Sequence, residues 1–357
     1  MSELRSSFVA VCLLVALTGC AEKTGPQSEL SGTSAAASTT APASSATMPT
    51  GRLTKAQQLS GLFEGTVTEK IADSSVGAAF AMHFPDMIWL NGKIYAYYIS
   101  YPARYEGRPC IGLATSDDGV SFTKVTDTAI VAGPESYDAR MASFAGAWND
   151  GGTVYVVYES TPQNGGADIA LATSTDGVHF TKHGVILKKD TSLPWQSYNI
   201  GTPDLYKVGD TWYLTFHGYG KDKRDCQIGL AYGKELALGK LTMVQTPVIP
   251  TSDDSSAPDS GTTGRRDIVY NSADGYFYMV YEISTDSVKD DYGKAYWTHT
   301  FARSKDFMTW ETMAPILKQS MSGFGFDGPC FLEIDGQMYV YMRNRSNCTT
   351  RISLTAK

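Results

Sequence analysis

Five segments of the chain repeat one pattern, an apolar strand, a tight turn and a tyrosine-rich strand that ends on a polar residue. They are FPDMIWLNGKIYAYYI, FAGAWNDGGTVYVVYE, TPDLYKVGDTWYLTFH, DIVYNSADGYFYMVYE and GPCFLEIDGQMYVYMR. Aligned on Tyr95, Tyr155, Tyr213, Tyr278 and Tyr339, the intervals are 60, 58, 65 and 61 residues. A strand-built unit recurring at that period is a propeller blade, since each unit buries its faces only against its neighbours. The expected fold is all-β, a five-bladed β-propeller with four-stranded antiparallel blades.

Third strands follow each repeat, as in CIGLATSDDGVSF, DIALATSTDGVHF and WTHTFARSKDFMTW. These three end in Ser-x-Asp turns at Ser116–Phe122, Ser174–Phe180 and Ser304–Trp310, where the carboxylate can accept turn amides and the aromatic covers the neighbouring strand. Asp118, Asp176 and Asp306 are therefore read as architectural. Fourth strands are FTKVTDTAIV, FTKHGVILK, LTMVQTPVI and WETMAPIL, and the fifth blade lacks one. An uncovered edge invites pairing with other chains. The strand-like LFEGTVTEKI ahead of blade one is expected to fill it and close the ring.

Residues 4–19 carry Arg5, the apolar run FVAVCLLVAL and then LTGC ending at Cys20. That run is short of the roughly 20 residues a membrane-spanning helix needs. The pattern resembles the cleavage box of bacterial lipoproteins. The resemblance implies a signal peptide over 1–20, lipid on Cys20, and, with Ala21 following, sorting to the outer membrane of the cell envelope. Residues 21–55, dominated by Ser, Thr, Ala, Gly and Pro, offer too little apolar surface to offset the entropy of ordering and read as a flexible tether. The propeller then occupies 56–357.

The net charge of -7 argues against a nucleic-acid partner, which requires a basic face. The membrane is engaged through the N-terminal lipid only. No cofactor is expected. No His/Cys spacing resembles a zinc site, and a structural calcium is left open. Cys110, Cys226, Cys330 and Cys348 allow three disulfide pairings; a Cys330–Cys348 staple within blade five is preferred, with buried thiols as the alternative.

In a propeller the first strands line the central channel, and their starts share a face with the ends of the second strands. Counting ten residues back from each aligned tyrosine gives Pro85, Ala145, Pro203, Ile268 and Pro329. One residue earlier are Phe84, Phe144, Thr202, Asp267 and Gly328, and two earlier His83, Ser143, Gly201, Arg266 and Asp327. Four beyond the tyrosines stand Ile99, Glu159, His217, Glu282 and Arg343. Charges on buried strands need partners or a wet cavity. The last ring is thus either a salt-bridge network among Glu159, Glu282 and Arg343 or a polar pocket at the funnel mouth. Asp86 and Asp204, in the repeated Pro-Asp step, read as turn or inter-blade groups. His83 and His217 reach the rings and read first as hydrogen-bonded structural residues. His299 lies too far out.

The Pro-Asp-hydrophobic step, the Gly-x-x-Tyr hairpins and the S-x-D-G-x-x-F turns resemble the clan of five-bladed propellers that contains glycoside hydrolase families 43 and 32. The resemblance covers residues 62–357. It implies a carbohydrate ligand, with FDGPCFLEIDG placing Asp327 where family 43 has its Glu-Gly-Pro acid. Asp267, in RRDIVYNSADG, matches the orienting carboxylate, and Arg266-Asp267 matches part of the Arg-Asp-Pro motif of family 32. The third carboxylate, base or nucleophile, is replaced by Phe144, or by Phe84 if the blades are counted differently. Neither can take a proton.

Glycoside cleavage ordinarily needs two carboxyls. Glu159 or Glu282 is then the candidate to restore the pair with Asp327. Expected sugar-binding residues are His83, Phe84, Phe144, His217, Arg265, Arg266 and Arg343. The leading expectation is an envelope-tethered glycosidase on oligosaccharides or a cell-surface polysaccharide. A noncatalytic glycan-binding propeller and a protein-interaction propeller are the alternatives.

Overall fold

The computed structural model describes residues 52–77, 82–221, 226–251, 261–289, 295–314, 327–344 and 348–357, with the side chains of 285–289, 295, 296 and 327 outside that description. The leader, Cys20 and nearly all of the tether fall outside it.

The first element is a helix, α1 (Lys55–Glu64), opened by a capping box between Thr54 and Gln57 and closed by Gly65 at φ 74°. Each feature satisfies backbone groups that a helix end leaves unpaired. Leu62, Phe63 and Glu64, expected at the start of the closing strand, instead end this helix. Leu59 and Leu62 pack on Met338, Val340 and Leu354, and Gln58 accepts from Met338 N while donating to the carbonyls of Met338 and Leu354. The helix thereby covers the hairpin end of blade five.

Among the described residues, twenty strands form five antiparallel sheets. Blade one is β2 (His83–Leu90), β3 (Lys93–Ser100), β4 (Cys110–Ser116) and β5 (Thr123–Ile130). Blade two is β6 (Met141–Asp150), β7 (Thr153–Thr161), β8 (Asp168–Ser174) and β9 (Thr181–Leu187). Blade three is β10 (Asn199–Val208), β11 (Thr211–Tyr219), β12 (Gln227–Gly233) and the short β13 (Thr242–Met243). Blade four is β14 (Thr262–Asn271), β15 (Tyr276–Lys289), β16 (Ala295–Ser304) and β17 (Glu311–Thr312).

Blade five is β18 (Asp327–Ile334), β19 (Gln337–Arg343) and β20 (Thr349–Ala356), completed by β1 (Val67–Val76). β1 pairs antiparallel with β20 from Val67↔Ala356 to Val76↔Thr349, so the N-terminal strand closes the ring as expected. First strands touch in the order β2, β6, β10, β14, β18 and back to β2. A strand packed between blades is covered on both faces, and β10 is accordingly buried over eight successive residues.

Blades are riveted by side chains from their neighbours. Asp118, Asp176 and Asp306 each accept two turn amides and the hydroxyl of the preceding Ser, as their architectural reading requires. Tyr97 of blade one donates to Gly177 O in blade two, and Tyr341 of blade five to Gly119 O in blade one. On the closing strand, buried Glu69 is paired with buried His299 of blade four. His299 is thus far from the channel.

The preferred disulfide is incompatible with the register. Cys330 lies opposite Tyr341 on one side of β19, and Cys348 opposite Asn344 on its other side. Strands flanking a third are roughly 9.6 Å apart, beyond the roughly 7 Å Cα separation a disulfide spans.

Candidate functional site

The register corrects the rings in blade four. Blades one, two, three and five turn through two residues, as in Leu90↔Lys93 and Ile334↔Gln337. Blade four turns through four, from Asn271 to Tyr276, so counting back from Tyr278 overshoots by two. Asp267 faces Val280 and so is the counterpart of Asp86, which faces Tyr97. Arg265, rather than Asp267, is the counterpart of Phe84, Phe144, Thr202 and Gly328. Those four share a left-handed backbone, at φ 46°, 51°, 39° and 62°, where a bulge bends each first strand into the funnel.

The corrected position fixes what Asp267 does. Its Oδ2 accepts from Phe331 N of blade five at 2.7 Å, as Asp86 Oδ2 accepts from Ala147 N of blade two at 2.6 Å. Both are fully buried inter-blade ties. The reading of Asp86 as an inter-blade group holds, and Asp267 joins it.

Arg265 and Arg266, expected to meet ligand, are buried as well. Arg265 leaves blade four, crosses the channel, and donates to Ala145 O (3.0 Å), Pro85 O (2.9 Å) and Asp86 Oδ1 (2.7 Å). Arg266 donates to Thr202 O (2.7 Å) and Thr202 Oγ1, and to Gly264 O. Burial, with Arg265 alongside, lowers Arg266 to about 10, where it is still a cation at neutral pH. Both stand at the bulge of β14, and their guanidinium groups are taken up by backbone carbonyls and by the side chains of Asp86 and Thr202.

The ring at the second-strand ends lies at the mouth. Each long side chain there reaches the same point of the next blade. Glu159 Oε2 accepts from Thr202 N (3.0 Å), Glu282 Oε2 accepts from Gly328 N (2.6 Å), and the Arg343 guanidinium lies 5.5 Å from the centre of the Phe84 ring. Glu282 Oε1 also accepts from Arg265 N at 2.7 Å. Both carboxylates lie in space that a glycine leaves open, since a Cβ at Gly201 would meet the Glu159 carboxylate and one at Gly264 that of Glu282. Backbone N–H groups thus orient the two glutamates.

Burial raises the Glu159 carboxyl to about 7, against the opposing pull of Thr202 N–H and Arg140. Beside it, the Asn199 amide is fixed by Ala167 N donating to Asn199 Oδ1. Asn199 Nδ2 then donates to His217 Nε2 (3.2 Å), so His217 Nδ1 carries the proton and donates to Thr202 Oγ1 (2.8 Å). Burial, reinforced by Arg266, lowers His217 to about 3, so it is neutral. Asn199 and Arg140 have no blade counterpart in sequence and drew no notice there. Thr202 was visible only as one member of the ring that also holds Phe84 and Phe144.

On the other side of the mouth, Phe84 and Phe144 meet edge to face at 5.4 Å, and His83 lies against Tyr101 at 5.6 Å. Burial, with Arg343 nearby, lowers His83 to about 4. Asp327 opens β18 opposite Arg343, the register that Ser143 has to Glu159; its side chain lies outside the described residues. Among the described residues no group of three or more His, Cys, Asp or Glu side chains is placed to hold a metal ion.

An all-β ring of five four-stranded blades is a fold that this chain shares with solved glycoside hydrolases. A thermostable family-43 glycoside hydrolase is similar at a TM-score of 0.60 and 14% identity over 79% of this chain and 91% of its own. The Cellvibrio cellulosa alpha-L-arabinanase, complexed with arabinohexaose, is similar at 0.57 and 12% over 80% and 92%. The sucrose-6-phosphate hydrolase of Escherichia coli is 30% identical over 138 residues, 36% of this chain and 28% of that enzyme. The chain thus aligns with under a third of that relative's length. No protein-family model matches.

Proposed function

We propose that this chain is a glycoside hydrolase acting on oligosaccharide or polysaccharide, with Glu159 and Asp327 as its carboxyl pair. The observation that carries the reading is Glu159, a carboxyl raised to about 7 at the funnel mouth with one oxygen fixed by Thr202 N–H. A group so poised is protonated often enough at mild pH to donate to a leaving glycosidic oxygen. Asp327 heads blade five and Glu159 ends a strand of blade two, which are not neighbours in the ring. The two positions thus stand on separate arcs of one mouth. In this scheme Glu159 gives its proton to the leaving oxygen, and ionised Asp327 activates water or attacks the anomeric carbon. Glu282, with both oxygens accepting N–H groups, serves to bind and orient.

A second reading is favoured by Phe84 and Phe144, which fill the candidate base positions and contact each other. In that reading the mouth holds sugar without cleaving it, aromatic faces packing on the apolar faces of sugar rings.

The test is turnover by the purified protein on arabinan, fructan, arabinohexaose and sucrose 6-phosphate. The hydrolase reading expects cleavage of at least one, and a loss of roughly 10²–10⁴-fold in kcat for Glu159→Gln and for Asp327→Asn. Binding with no turnover on any of them rejects it in favour of the second reading. We also propose attachment to the bacterial outer membrane through lipid on Cys20; Cys20→Ala should then move the protein from the membrane to the soluble fraction.

A further inference from the structure

Two tyrosines outside the carboxyl ring occupy one position in two blades. Tyr101 and Tyr219 each lie six residues past the aligned tyrosine, Tyr95 in blade one and Tyr213 in blade three. The same position holds Thr161 in blade two and Ser284 in blade four. Blades one and three flank blade two, which carries Glu159. Tyr219 ends β11 and Tyr101 follows directly on β3, so each lies two residues past the ring at the mouth end of its strand.

Both are half-buried, and both rest on mouth histidines. Tyr101 meets the His83 ring edge on at 5.6 Å, and Tyr219 lies tilted on the His217 ring at 5.9 Å. Tyr198 backs Tyr219 at 5.8 Å. Phe84 meets Phe144 on the side of Tyr101, and Thr202 joins Glu159 to His217 on the side of Tyr219. Both histidines are held neutral, so the mouth between the tyrosines gains no positive charge from them at neutral pH. Burial keeps the Tyr101 phenol protonated throughout the accessible pH range.

We propose that Tyr101 and Tyr219 are two sugar-binding walls on opposite sides of Glu159. The ligand would be an oligosaccharide of at least two rings, one packed by its apolar face on each tyrosine, with the linkage between them over blade two. This deepens the proposed function and rests on it for the meaning of the linkage, but the walls themselves require binding alone. A single sugar ring satisfies one wall, and therefore binds more weakly than an oligomer. The phenyl ring supplies the contact, so phenylalanine should substitute for either tyrosine.

Calorimetric titration of the Glu159→Gln protein with arabinohexaose, a fructo-oligosaccharide of similar length, and the monosaccharides arabinose and fructose tests this. Expected is a clear preference for an oligomer over its monomer, with affinity falling about tenfold in Tyr101→Ala and in Tyr219→Ala. Tyr101→Phe and Tyr219→Phe should stay within about threefold of the parent. Melting curves confirm that each variant is folded, and the phenylalanine variants retain the packing if an alanine variant does not fold.

The walls are rejected if the parent holds neither oligomer, if monomer and oligomer bind alike, or if both alanine variants bind as the parent does. Turnover by the unsubstituted protein is scored separately. Tyrosine-dependent binding without turnover upholds the walls and rejects the hydrolase. Turnover with KM unaffected by either alanine substitution rejects the walls and leaves the hydrolase standing.

Discussion

Arg265 of blade four and Asp86 of blade one meet at 2.7 Å across the propeller channel, both buried. Asp86 uses its other oxygen to accept from Ala147 N of blade two, and Arg265 also donates to Ala145 O of that blade. Three blades are thus tied through one ion pair, and at the mouth two glutamates are held by backbone N–H groups.

Removing one partner of a buried pair strands the other charge, which costs about 3–5 kcal/mol. Asp86→Ala and Arg265→Ala should each lower the urea midpoint by that measure. Replacing both together, as in Asp86→Leu with Arg265→Met, should recover part of the loss. Denaturation curves showing additive losses in the double variant would contradict the pairing.

Stability should respond to pH through Glu159 and His217 with opposite signs. Glu159 is raised in the fold, from 4.5 to about 7, so the folded state holds the extra proton between those values. Its contribution is full below pH 4.5 and lost as pH rises through 7, on the order of 3 kcal/mol. His217 is lowered from 6.5 to about 3, so the unfolded state holds the extra proton and stability is lost as pH falls below 6.5. Glu159→Gln should therefore gain stability relative to the parent at pH 8, and His217→Gln should lose less than the parent on going from pH 7 to pH 5. Urea titrations at pH 5, 7 and 8 check both, and parallel profiles for all three proteins would refute the assignment.

Each Ser-x-Asp turn rests on a carboxylate accepting two amides. Asp118→Ala, Asp176→Ala and Asp306→Ala should each cost about 1 kcal/mol, since these turns are solvated. Sugar binding and turnover should be unchanged in all three. Thermal melts alongside ligand titration separate the two effects, and a loss of binding without a loss of stability would overturn the architectural role.

Ring closure depends on β1, where Glu69 is paired with His299 of blade four. Glu69→Ala should destabilise by about 3 kcal/mol and expose the N-terminal strand first. Limited proteolysis should then release a fragment cut near residues 65–77 before the remaining blades are cleaved. Uniform cleavage across all blades would argue that β1 is not a separately opening element.

Sequence periodicity was enough for the blades, because alternating strands and two-residue turns are local and recur five times. The Ser-x-Asp turns and the closing strand were legible for the same reason. Alignment by counting failed in blade four, where Ser272–Gly275 adds two residues to the hairpin and carries Asp267 and Arg266 out of their apparent rings. Helix α1 also escaped notice, since Leu62–Glu64 runs straight into the closing strand and reads as part of it.

By itself the sequence determined a five-bladed, N-terminally closed propeller and nominated the ring of Glu159, His217, Glu282 and Arg343. Tertiary structure alone decided which charges are committed to the scaffold. Arg265, Arg266 and Asp267 are consumed by contacts 64 to 180 residues away in sequence. Such contacts come from blades meeting around a channel, and no local spacing encodes them. The same closure brings Glu159 to rest over Gly201 and against Thr202 N–H, and so sets the burial that raises its carboxyl.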